Sequence, residues 1–65
     1  MNGYMYEVNW YNSFTGNNSE TFLLKTEALK FAREVKYFSS NINVLVYRVK
    51  FGCKTKIWGR VNHGH

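Results

Sequence analysis

"TEALKFAREVKYF", Thr26–Phe38, is where the period of the chain changes. Ala28, Phe31, Ala32, Val35 and Phe38 recur at helical spacing and make one apolar stripe, with Leu29 beside it. Thr26 suits the N-cap position, and Glu27 falls in the first turn, where the helix dipole favours an acid. Lys30 and Glu34 face water as an i,i+4 pair. The spacing predicts a helix over 27–39, ended by "SSNIN" (Ser39–Asn43). A helix with one apolar stripe needs a layer to lie on, and both flanks supply strands.

Upstream, "YMYEVNWY" (Tyr4–Tyr11) alternates and is rich in aromatics, the pattern of a strand over 4–11. Tyr4, Tyr6, Val8 and Trp10 share one side and read as core; Met5, Glu7, Asn9 and Tyr11 share the other. "NSFTGNNS" (Asn12–Ser19) is dense in turn formers, and "ETFLLK" predicts a second strand over 20–25. Downstream, "VLVYRVKF" predicts a strand over 44–51 and "KTKIWGRV" another over 54–61, joined by a turn at Gly52-Cys53. The tail is 62–65. The expected fold is a single α+β domain spanning 1–65, of order β-β-α-β-β. It is an antiparallel sheet with one helix packed on one face. One helix of about 13 residues leaves the other face to water or a partner.

Sixty-five residues bury a small core, which disulfides, a metal or a partner chain usually assist. Cys53 is the only cysteine, so an internal disulfide is excluded, and a lone thiol suits a reducing compartment. No apolar run approaches the roughly 18 residues of a membrane span, and "MNGYMYEVNW" lacks the basic start and apolar stretch of a secretory signal. The expected location is cytoplasmic, with no membrane partner. Eight Asn and no Pro, beside many Lys, Tyr, Phe and Ile, suggest AT-rich codons. A bacterium, its phage or a mobile element is the expected source, and a phage protein would act in the host cytoplasm.

The net charge of +5 is unevenly placed. Through Tyr47, four basic residues balance four acids; from Arg48 onward come Arg48, Lys50, Lys54, Lys56 and Arg60 and no acid. That asymmetry bears on polyanionic partners rather than on the fold. Two hairpin registers compete. A three-residue loop, Gly52-Cys53-Lys54, puts Leu45, Tyr47, Val49 and Phe51 under the helix with Thr55, Ile57, Gly59 and Val61. Arg48, Lys50, Lys54, Lys56, Trp58 and Arg60 then face outward. A two-residue loop at Gly52-Cys53 instead sets Lys54, Lys56 and Arg60 on the side of Leu45 and Val49, where burial of unpaired charge is costly. A one-residue slip flips every side chain, so the pattern favours the odd loop. On that reading Trp58 neighbours Arg48, Tyr11 joins from the first strand, and Met5, Leu23, Val44 and Val46 add an outward apolar patch of the kind that marks an interface.

The catalytic alternatives are thin. His63 and His65 give two ligands in a tail, Cys53 sits at a turn, and no Gly-rich phosphate loop occurs, so no metal, cofactor or nucleophile is expected. Glu7, Glu20, Glu27 and Glu34 have no reason to pair in a cleft. The expected function is therefore that of a small basic binding protein and not an enzyme. Arg48, Lys50, Lys56 and Arg60 would contact the phosphates of nucleic acid or another phosphate-bearing ligand. Lys54 would help from the turn, and Trp58 would stack with Tyr11 nearby. The alternative is a phage-encoded inhibitor of a host enzyme or defence complex, an anti-CRISPR-like role, docking the same face on an acidic host protein surface. A homodimer is among the partners either reading admits, and a plain solvated face, with Lys guarding strand edges, is the bland one.

Overall fold

In a computed structural model the chain is described over residues 4–59. The order β-β-α-β-β holds: β1 (Met5–Asn12), β2 (Gly16–Phe22), α1 (Lys25–Lys36), β3 (Asn41–Lys50) and β4 (Cys53–Gly59). The strands form one antiparallel sheet in the order β2-β1-β3-β4, with α1 against one face. Val61 and Arg60 of the expected last strand, and the tail, lie outside the described residues.

What lies under the helix is small. Ala28 and Ala32 are fully buried and Val35 nearly so, facing Val8, Val44 and Val46, with Tyr6 completing the buried set. Two alanines let the helix approach the sheet closely, and valines fill the thin layer that remains. Larger groups ring this centre. Phe31 meets Trp10 edge-on at 5.5 Å and Phe22 at 5.2 Å, and Tyr4, Leu29, Ile57 and Trp58 also pack against it. Ring pairs at such spacings add about 0.5–1.5 kcal/mol beyond their area.

That geometry corrects the expected facing. Leu45, Tyr47 and Val49 are the more apolar set of β3, yet they alternate away from the helix and are half-buried on the open face. Val44 and Val46, expected outward, are buried beneath α1. Total apolarity was the wrong criterion; the thin layer beneath the Ala-Ala-Val stripe is filled by Val44 and Val46, and Leu45 and Tyr47 are left to the open face. Phe38, expected in the stripe, is 60% exposed, because the helix stops at Lys36. The amide of Asn41 donates to the Val35 carbonyl at 3.0 Å, which satisfies a terminal acceptor. Thr26 is not the cap either. Leu24 holds that position, and no side chain bonds the first turn.

The expected loop over 12–19 is mostly strand. Gly16 to Phe22 pair with β1 from Asn12↔Gly16 to Tyr6↔Phe22. Polar "GNNSETF" can form an edge strand because one side of its backbone is paired and its side chains need little burial. Leu23 lies beyond its end and is exposed.

Candidate functional site

The β3–β4 hairpin turns on two residues, Phe51 and Gly52, with Lys50↔Cys53 as the closing pair. Their φ angles are +52° and +79°, the left-handed pair of a type I′ turn, whose twist matches the flanking strands. From there the register runs Val49↔Lys54, Arg48↔Thr55, Tyr47↔Lys56, and then Val46↔Trp58. Ile57 is the extra residue of a β-bulge. An inserted residue re-aims those beyond it. Lys54 and Lys56 thus share the open side with Val49 and Tyr47, while Trp58 returns to the helix side opposite Val46.

The three-residue loop and the outward Trp58 are both overturned. Trp58 packs against the core, and Lys36 at the end of α1 lies 5.5 Å over its ring. Arg48 is paired with Thr55 and not with Trp58. The bulge resolves the conflict between burying charge and burying Trp58, since it lets lysines and indole take opposite sides of the same strand.

The basic residues are consequently split. On the helix side, beyond the core, Arg48 lies 5.1 Å over the Tyr4 ring and Lys50 lies 4.6 Å over it, with Lys50 also 5.3 Å from the Phe51 ring. Neither cation has a carboxylate partner among the described residues. On the open side Lys54 donates to Glu7 at 2.7 Å and lies 5.9 Å over the Tyr47 ring. The hydrogen bond from Lys54 holds the Glu7 carboxyl below its ordinary value. Partial burial opposes this, and the Asn9 amide and the Lys54 charge add to it. Lys56 is exposed. Arg60 lies outside the described residues.

Tyr11 is half-exposed on the open face, paired with Asn17 and Ile42. It is six residues along β1 from Met5, the row of Lys54, or about 20 Å at strand rise. The structure does not bring Tyr11 together with the hairpin cations. Phe51, expected under the helix, is the residue that the alternation does not single out. It is 92% exposed at the tip of the turn, among the cations. A bulky residue just before Gly in a tight hairpin, where Asn or Asp is usual, was the signal that pointed to it.

Among the described residues no group of three or more His, Cys, Asp and Glu is placed to hold a metal ion. Cys53 is exposed and unpaired. No described helix is long and apolar enough to cross a membrane. Comparison with protein-family models, with curated proteins and with solved structures finds no match.

Proposed function

We propose that the protein is a non-enzymatic binding protein that holds nucleic acid at the end of its β3–β4 hairpin. The observation that carries this reading is the pair Arg48 and Lys50. The two cations lie 5.1 and 4.6 Å from one tyrosine ring, and among the described residues neither has a carboxylate partner. Neighbouring cations without an acid partner are stabilised when an anion binds beside them. Lys56, on the opposite side, gives the hairpin a third cation without a carboxylate partner among the described residues. A surface basic on both sides of a narrow end suits a flexible phosphate chain that wraps the hairpin.

Binding of labelled single-stranded and duplex oligonucleotides, titrated with salt, tests this. Three phosphate contacts predict that log K falls with log salt at a slope of roughly −2 on single strands. Arg48→Glu with Lys50→Glu should abolish binding. An affinity indifferent to salt, or to the double reversal, would remove the reading.

A second reading has its own observation. Met5, Tyr11 and Ile42 leave apolar surface on the open face, with Lys54 and Lys56 along its β4 edge. An acidic protein surface, such as that of a host enzyme or defence complex under inhibition, fits that face. A stoichiometric, nuclease-resistant complex lost in Tyr11→Ala and intact in the Arg48 and Lys50 reversals would favour it over the first.

A further inference from the structure

Five described residues have positive φ: Gly16, Asn43, Gly52, Gly59 and Phe51. Gly adopts this region freely, and Asn tolerates it. Phe51 alone has no such excuse. A bulky side chain there is strained by the clash of its Cβ with the backbone. Burial does not compensate, since the ring is almost wholly exposed. The two-residue turn demands this φ, but nothing within the molecule accounts for Phe as the residue that adopts it, and a side chain placed against its own backbone preference is a pointer to a role outside the fold.

The surroundings of the ring say what that role is. Lys50 lies 5.3 Å over Phe51 and 4.6 Å over Tyr4, so the side chain that carries the cation also links the tip to the sheet. Arg48 shares the Tyr4 ring. An apolar, planar group is thus presented at the end of a strand beside two unneutralised cations. Phe14, at the other hairpin, is also exposed, at 87%, but has ordinary backbone and, among the described residues, no cation over it. Exposure alone therefore does not single out Phe51; exposure, strain and flanking cations together do.

From this the geometry points to Phe51 as a stacking ring for an unpaired nucleobase, with Arg48 and Lys50 holding the phosphates beside that base. The inference rests on the reading of the hairpin as a nucleic-acid surface and names its preferred form: a single strand, or a duplex with an unpaired base, over intact duplex. Every base offers a π face, so the contact is tolerant of sequence. Trp58, expected in this role, lies against the core instead.

The test uses Phe51→Asn, which places a residue suited to type I′ turns at the strained position. Two effects of opposite sign are expected. The melting temperature rises by roughly 4 °C. Affinity for a labelled oligothymidylate of about 12 nucleotides falls roughly 5- to 150-fold, the range of one stacked base, while the salt slope stays unchanged. Phe51→Trp retains binding, and Phe14→Ala changes nothing. A 2-aminopurine in the strand is quenched by the wild type and not by Phe51→Asn. If Phe51→Asn binds as the wild type does while reversal of Arg48 and Lys50 abolishes binding, stacking is overturned and the polyanion reading survives. If the wild type shows no salt-sensitive binding, both fall together. A lower melting temperature in Phe51→Asn would overturn the strain on which the inference depends.

Discussion

The two hairpin tips lie at opposite ends of the sheet and obey opposite rules. The first, Ser13–Thr15, is built for its turn. Asn12 accepts backbone hydrogen bonds from Phe14 at 2.7 Å and Thr15 at 3.0 Å, and its amide donates to Asn41 at 2.6 Å. Asn41 in turn caps the helix through the Val35 carbonyl. Turn, strand and helix end are joined by one chain of amides. The second tip, Phe51-Gly52, has a strained residue, no side-chain hydrogen bond among those found, and cations of one sign nearby. The first tip serves the fold. The second is held in place by its strands, and Lys50 over the Phe51 and Tyr4 rings is its side-chain link to the sheet.

The largest test of this contrast removes what holds the second hairpin. Gly59 has φ +97°, and a Cβ there would overlap the Val44 carbonyl oxygen. Backbone cannot yield as a side-chain end can. Gly59→Ala should cost about 3 kcal/mol or more. A domain of this size has only about 3–10 kcal/mol to lose. Chemical denaturation reads the loss directly. A change below about 1 kcal/mol would mean that β4 shifts freely and that its register is not pinned at this point.

Next in size is the first tip. Asn12→Ala deletes two bonds to backbone amides and the link to Asn41. These three bonds are exposed or half-buried, so at about 0.7 kcal/mol net for each a loss of about 2 kcal/mol is expected. Oligonucleotide affinity, measured where the variant is still folded, should stay at the wild-type value. Loss of affinity in a folded Asn12→Ala protein would erase the division of labour between the tips.

How much of this contrast was legible beforehand depends on which physical signal carries each part. The order of elements came from period alone. "EALKFAREV" reads as helix and "VLVYRV" as strand whatever they pack against. The facing of β3 and β4 did not follow, because it rests on three things a pattern does not display. One is the turn length, decided by Phe51 accepting a conformation it disfavours. Another is the bulge at Ile57, which breaks alternation in mid-strand. The last is the depth of the space under α1, which selects Val44 and Val46 over Leu45 and Tyr47. Charge was legible as a count, so Arg48, Lys50, Lys54 and Lys56 were identified, but their division between two sides was not. The first half of β2 was hidden for a different reason: residues 16–19, an edge segment of Gly, Asn and Ser, have no apolar alternation to read, and only residues 20–22 fell within the expected strand.

The smallest effect concerns Glu7, the acid that reaches the hairpin from β1. Its carboxyl is held below its ordinary value chiefly by the hydrogen bond from Lys54. A folded pKa below the unfolded one contributes stability that is present above the unfolded value, near pH 4.3, and is lost as pH falls through the folded value. Glu7→Gln should therefore be less stable than the wild type by about 0.5 kcal/mol at neutral pH, as Lys54 is half exposed and the pair is partly screened. The gap should narrow as pH falls below the ordinary glutamate value, about 4.3, and through the lower folded one. A gap that persists unchanged at pH 3 would show that the lost stability has another source than ionisation. The same substitution should act on binding with the opposite sign. Glu7 withholds Lys54 from any phosphate chain; once released, that lysine should steepen the salt slope on single strands by about 0.7. A variant that is slightly less stable yet binds more tightly would place Glu7 on the side of the fold and Lys54 on the side of the partner. An unchanged slope would confine the polyanion surface to Arg48, Lys50 and Lys56.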